Sequence, residues 1–90
     1  MRAIITVLGG DKVGIIYSVT KVVADYNVNI LDISQTVMGG DVFTMLMLVD
    51  TTNMTCEFRE FAVALDAIAQ EFNVSVRIQR EDVFNAMHSI

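Results

Sequence analysis

Residues 41–50, DVFTMLMLVD, form a run whose two alternating faces are both largely apolar. Successive side chains of a strand point to opposite faces, and a strand that is apolar on both faces is covered on both sides. In a chain of only 90 residues, this run therefore predicts a central strand in a sheet with a cover on each face. One face would carry Phe43, Met45, Met47 and Val49, and the other Val42, Thr44, Leu46 and Leu48.

The rest of the chain alternates between strand-like and helix-like patterns. Short β-branched or alternating runs predict strands at residues 2–8, 27–38 and 73–79. Apolar residues recur at helical spacing over residues 14–26 and again over about 55–72, which predicts two amphipathic helices. Neither a linker nor a low-complexity segment divides these elements.

Local signals predict how the elements are joined. MGGD at residues 38–41 is typical of a tight hairpin, because glycine readily adopts positive φ. The alternation of the preceding strand slips around Asp32, which a β-bulge would explain. Asp11 is the predicted N-cap of the first helix, and Asn53 or Thr55 that of the second.

The order strand, helix, strand, strand, helix, strand predicts an α+β ferredoxin-like βαββαβ sandwich, with two helices on one face of a four-stranded antiparallel sheet. Residues 1–79 would form this domain. Residues 80–90 would form a C-terminal tail, predicted to be a short docked helix. The tail and a second copy of the chain are the available covers for the other face. The apolar side of the tail helix would carry Val83, Phe84, Met87 and Ile90.

Composition narrows the class of function. Apolar residues make up 53% of the chain, more than a small monomer hides easily, which predicts a homodimer. The net charge of −5 disfavours binding to nucleic acid or to an anionic membrane surface. The single cysteine, Cys56, allows no internal disulfide and indicates a cytoplasmic protein. The first residues are typical of a strand rather than a signal peptide, and no apolar run is long enough to span a membrane.

The known catalytic and phosphate-binding patterns fail in this chain. Gly9 and Gly14 have phosphate-loop spacing, but Ile15 and Ile16 stand where that loop needs Lys and then Ser or Thr. SVTK at residues 18–21 and the pair Tyr17 and Lys21 match short catalytic patterns, but the motifs that accompany them in enzymes are missing. His88 has no metal-ligand spacing to another His or Cys. The sequence therefore predicts no enzyme, metal or cofactor.

The loop in VLGGDKVGII, residues 7–16, leaves two interpretations open. It is either a plain turn, in which glycines end a strand and Asp11 caps a helix, or a ligand site. The first amides of a helix have no internal partners and carry partial positive charge, which suits a carboxylate. Asp11 offers the opposite charge for an ammonium group. A site that offers a partner both to a carboxylate and to an ammonium group favours an amino acid as its ligand.

Together with NVNILDISQT at 27–36 and FTMLMLVD at 43–50, this loop makes the chain resemble an ACT domain, a small regulatory module of amino-acid metabolism. The resemblance covers about residues 2–79, is closest to free-standing single-domain members, and extends to the domains of the glycine cleavage system repressor. It implies an allosteric amino-acid site between two domains paired side by side. One copy would supply the ligand loop, and the second the start of the second strand. The implied ligand-binding residues are Gly10, Asp11, Lys12, Val13, Gly14, Ile15, Asn29 and Ile30.

Two functions from different classes remain. The first is a homodimeric sensor of an amino acid or related metabolite, acting through a regulatory protein partner. The second is a ligand-free interaction module. RNA binding also uses this strand order, but it needs aromatic and basic residues on the central strands, where Phe43 is the only aromatic residue. A copper chaperone would need a paired-Cys loop, and an acylphosphatase an Arg in the first loop, where Lys12 is a poor substitute.

Overall fold

A computed structural model describes residues 1–10 and 13–88, with the side chains of all of these except 38, 87 and 88. Strands and helices follow one another in the predicted order, and a helix follows the last strand, where the tail helix was predicted. The elements are β1 (Arg2–Gly10), α1 (Ile15–Asp25), β2 (Asn29–Met38), β3 (Val42–Asp50), α2 (Phe58–Phe72), β4 (Ser75–Arg80) and α3 (Glu81–His88).

The strands form one antiparallel sheet in the order β2-β3-β1-β4. β3 and β1 are therefore central, as the two apolar faces of residues 41–50 require, whereas β2 and β4 lie at the edges. With α1 and α2 packed against the sheet, this arrangement confirms the predicted ferredoxin-like fold.

The core lies between the sheet and the two long helices. α1 buries Ile15, Val19 and Val23, and α2 buries Phe61, Leu65 and Ile68, because these residues recur every three or four positions on one side of each helix. The covered face of the sheet supplies Ala3, Ile5, Val7, Phe43, Met45, Met47 and Val49. We call the opposite side of the sheet the open face.

The second strand and its hairpin follow the predicted irregularities. The register of β2 against β3 shifts between Ile30 and Asp32, so the predicted bulge is confirmed, with Leu31 as the extra residue. Gly39 and Gly40 both have positive φ, 62° and 82°, in the hairpin that leads to β3.

Both predicted helix caps are wrong. The N-cap of α1 is Gly14 at φ 94°, and Asp11 lies outside the described residues, three positions earlier. Glycine adopts this positive φ without steric cost, so the chain enters α1 at Gly14 rather than at Asp11. The N-cap of α2 is Glu57 rather than Asn53 or Thr55. The backbone amide of Thr55 instead donates to the carbonyl of Tyr26, and the Asn53 carbonyl accepts from Asn27 Nδ2 at 3.0 Å, so both residues belong to the preceding loop.

α3 crosses one end of the open face. Phe84 lines a cavity of about 190 Å³ together with Ile4, Leu46 and Leu48, and Glu81 forms an ion pair with Arg2 at 2.9 Å. The prediction that Val83 shares the buried side with Phe84 is wrong, because Val83 is 45% exposed. Met87 and Ile90, predicted for the same side, have side chains outside the described set. No helix in the described part of the chain is long and apolar enough to cross a membrane.

Candidate functional site

The β1–α1 loop is held against the end of α2 and the start of β4. A Cβ on Gly9 would stand 2.5 Å from Val74 Cγ1, so only glycine allows β1 to approach this segment. Gly14 lies beside the ring of Phe72, which a Cβ would meet at 3.5 Å. Val13, between them, is fully exposed. The loop therefore has packed flanks and an outward-facing tip.

The first turn of α1 has no side-chain cap among the described residues. Its first internal hydrogen bond runs from the Ser18 amide to the Gly14 carbonyl at 2.9 Å. The amides of Ile15, Ile16 and Tyr17 precede this bond, and no side chain of the described residues caps them. Such amides carry partial positive charge and accept an anionic group.

The structure brings together some of the predicted ligand residues and separates others. Gly10, Val13, Gly14 and Ile15 follow one another at the loop, although the Ile15 side chain is buried in the core. Asp11 and Lys12, predicted between them, lie outside the described residues. Asn29 and Ile30 start β2, at the far end of the sheet.

The strand pairing shows how far Asn29 lies from the β1–α1 loop. Gly10 pairs with Val42, which pairs with Met38 at the end of β2, whereas Asn29 at its start pairs with Asp50. Ten residues of β2 at about 3.3 Å each make a strand roughly 30 Å long. A single copy of the chain therefore cannot bring Asn29 and the loop to one small molecule.

Asn29 lines a polar cleft of about 230 Å³ that the sequence did not reveal. In it, Asp50 Oδ1 accepts hydrogen bonds from the Thr52 amide at 2.9 Å and the Thr52 hydroxyl at 2.5 Å. These bonds hold the pKa of the Asp50 carboxyl below its ordinary value. The only sequence signal was the polar run that follows β3. The lining residues are Asn27, Val28, Asn29, Asp50, Thr52 and Asn53.

The free edge of β2 carries apolar side chains. Ile30, Ile33 and Val37 pair with buried residues of β3, so they face the helix layer, yet all are exposed. Ile16 is also exposed, on the side of α1 away from Ser18 and Val22, which face α2. We call Ile16, Ile30, Ile33 and Val37 the edge surface.

Lys21, which both weak catalytic patterns share, has a structural role. Lys21 Nζ forms an ion pair with Asp25 at 2.7 Å, and this contact raises the pKa of Lys21. Thr20 Oγ1 donates to the helix carbonyls of Ile16 and Tyr17. Partial burial, together with the nearby Glu60 and Glu57, raises the pKa of the Cys56 thiol, which opposes thiolate reactivity. The described residues contain no cluster of three His, Cys, Asp or Glu side chains suited to a metal.

Comparison with known proteins gives consistent matches. A family model described as ACT domain matches residues 2–79, ending just before α3. A UPF0237 protein of Listeria innocua is 47% identical over 90 residues, covering the whole of both chains. The structure of an ACT domain protein from Streptococcus pneumoniae superposes with a TM-score of 0.78 and 39% identity over 93% of each chain. A putative glycine cleavage system transcriptional repressor superposes with a TM-score of 0.70 and 26% identity, over 87% of this chain and 44% of that chain.

Proposed function

This chain belongs to the ACT domain family, whose members are regulatory ligand-binding domains, and from that premise we propose that it binds an amino acid between two copies of itself. The occupied dimer would then act on a separate regulatory partner protein. The observation that carries the proposal is the position of Asn29 and the β1–α1 loop at opposite ends of the same sheet.

A two-fold pairing of β2 with β2 of a second copy would complete the site. Antiparallel pairing places the start of one β2 beside the end of the other, and the end of β2 lies at the level of Gly10. Asn29 of each copy would then lie at the end of the sheet that carries the β1–α1 loop of the other copy. Two equivalent sites per dimer follow from this symmetry.

The edge surface supports the same pairing. A long edge strand with unpaired backbone groups and exposed apolar residues is a template for another strand. β2 is ten residues long, and its exposed Ile30, Ile33 and Val37 would be buried against the second copy. Ile16 would join them from α1.

The loop supports an amino acid as the ligand class. The uncapped amides at the start of α1 suit the carboxylate, and Asp11 is the proposed acceptor for the ammonium group. Asn29 supplies an amide that can both donate and accept. The rival function, a ligand-free interaction module, would use the same edge surface but leave the loop without a ligand.

Calorimetry on the purified chain against each of the twenty amino acids tests the proposal. We expect heat with at least one of them, and a marked loss of affinity in Asn29→Ala without a change in the melting temperature of the unliganded protein. Asn85→Ala is the matched control, because Asn85 is exposed on α3 and belongs neither to the β1–α1 loop nor to the start of β2. Absence of heat with every amino acid would favour the interaction module.

A further inference from the structure

The polar cleft beside Asn29 is joined to the proposed ligand site through Asn29 itself. This residue is a predicted ligand residue, and it also lines the cleft, whose volume is about 230 Å³. Asn29 and Asp50 lie opposite each other on the neighbouring strands β2 and β3, and the Cβ atoms of residues paired in this way are about 5 Å apart. An amino acid held at Asn29 can therefore extend its side chain into the cleft, toward Asp50.

Asp50 carries the only charge among the described residues that line the polar cleft. The other lining residues have amide, hydroxyl or apolar side chains: Asn27, Val28, Asn29, Thr52 and Asn53. The hydrogen bonds from Thr52 hold the pKa of the Asp50 carboxyl below its ordinary value, so Asp50 is ionised at neutral pH. A negative charge surrounded by hydrogen-bonding groups favours a cationic group as the occupant of the cleft.

The contacts that Asp50 already makes involve one of its two oxygens. Both hydrogen bonds from Thr52 end on Oδ1, and the N-terminal ammonium of Met1 lies 3.7 Å from the same oxygen. No described residue donates a hydrogen bond to Oδ2, and the Asp50 side chain is 36% exposed. Met1 lines a neighbouring cleft and not the polar cleft, so its ammonium approaches Asp50 from another side.

The arginines near Asp50 already have acidic partners. Arg2 and Arg80 line the neighbouring cleft together with Asp50, and they form ion pairs with Glu81 and Asp82, each at 2.9 Å. Neither arginine lines the polar cleft. On the side of the polar cleft, the charge of Asp50 is therefore not balanced by any cationic side chain of the described residues.

The polar cleft is formed before any ligand binds. Asn27 Nδ2 donates to the carbonyl of Asn53 at 3.0 Å, which joins the loop after α1 to the loop after β3. Thr52 holds the Asp50 carboxylate from within the second of these loops. Because these groups are already in place, a ligand side chain would bind with little further ordering of the protein.

We propose that the polar cleft binds the cationic side chain of a basic amino acid, with Asp50 as the residue that determines this specificity. The inference rests on the proposed function, because the β1–α1 loop of one copy and Asn29 of the other must first hold the α-carboxylate and α-ammonium groups. The flexible four-carbon stem of lysine then extends from Asn29 to Asp50. Asp50 Oδ2 accepts a charge-assisted hydrogen bond from the terminal ammonium, and a guanidinium group suits the same carboxylate.

Calorimetry with lysine and with norleucine tests the proposal on the unmodified chain. The two ligands have the same α-groups and the same four-carbon stem, and only lysine has a terminal ammonium. We expect the wild type to bind lysine at least about tenfold more tightly than norleucine, because a hydrogen bond to a charged group contributes that much affinity or more.

Two variants that each remove one negative charge show whether Asp50 causes the preference. Asp50→Asn keeps the shape of the side chain without its charge, so we expect it to bind lysine and norleucine equally well. Asp66→Asn is the matched control and should retain the preference, because Asp66 is exposed on α2, where it accepts a hydrogen bond from Gln70. Circular dichroism establishes that each variant is folded.

The possible results separate this inference from the proposed function. Equal affinities of the wild type for lysine and norleucine, a preference for lysine that persists in folded Asp50→Asn, or a preference that Asp66→Asn also removes would overturn the role of Asp50. Each of these results would leave amino-acid binding itself in place. Absence of heat with lysine, norleucine and every other amino acid would overturn the proposed function, and this inference with it.

Discussion

At the scale of single residues, the most constrained position is Gly9. An added Cβ would meet Val74 at 2.5 Å from Cγ1 and 3.2 Å from Cα, so the backbone of the adjoining segment would have to move. We expect Gly9→Ala to lower the free energy of unfolding by about 1–3 kcal/mol, the usual cost of overpacking. Urea unfolding measures this change.

Gly10→Ala provides the comparison for that experiment. Its Cβ would meet only the Asp41 carbonyl at 4.0 Å, and its φ is not positive, so we expect little change in the urea midpoint. Equal destabilisation by both substitutions would show that glycine flexibility, rather than contact with Val74, determines the effect at Gly9.

The Asp50 carboxyl should respond to loss of the Thr52 hydroxyl. Hydrogen bonds from Thr52 lower the pKa of Asp50 from its ordinary value of 3.8, so Thr52→Val should raise this pKa toward that value. In the wild type, the contribution of Asp50 to folding is complete above the unfolded pKa and is lost as the pH falls through the lower folded pKa. NMR titration of Asp50 measures the shift, and Thr55→Val, on an exposed residue of the same loop, should leave it unchanged.

At the scale of elements, α3 is held by a small number of contacts. Phe84 is half-buried beside a cavity that Ile4, Leu46 and Leu48 also line, so Phe84→Ala should cost about 1–2 kcal/mol of unfolding free energy. Asn85→Ala, on the exposed side of α3, should cost little. Thermal denaturation distinguishes the two variants, and equal melting temperatures would mean that α3 contributes no packing energy.

The spacing of apolar residues along the sequence was sufficient to predict the strands and helices and their order. The run of β3 that is apolar on both faces and the apolar seam of α2 predicted a central strand and a helix, and the bulge near Asp32 was visible as a break in the alternation of β2. The caps failed because Gly14, through its positive φ, and the loop contacts of Asn53 and Thr55 overrode local capping preference. The polar cleft beside Asn29 joins residues from two separate loops, and their proximity follows from strand register, which the sequence does not display.

At the scale of the whole molecule, the sheet has exposed apolar side chains both at the edge surface and on the open face, and the proposed ligand belongs only to the edge surface. The edge surface pairs the Asn29 end of one chain with the loop end of the other. The exposed Leu8, Val42 and Leu46 lie on the open face, and none of them is a predicted ligand residue. Substitutions at the edge surface should therefore affect ligand binding, and substitutions on the open face should not.

A last prediction uses this separation. A saturating amino acid, at about 100 times its dissociation constant, should stabilise the wild type by ~2.7 kcal/mol. Ile33→Lys would bury a charge in the β2 pairing, so we expect it to abolish this stabilisation, whereas Leu8→Lys, on the open face, should preserve it. Thermal-shift measurements beside sedimentation distinguish these outcomes. Ligand stabilisation that survives in folded, dissociated Ile33→Lys would place the amino-acid site within a single chain and exclude the site shared across β2.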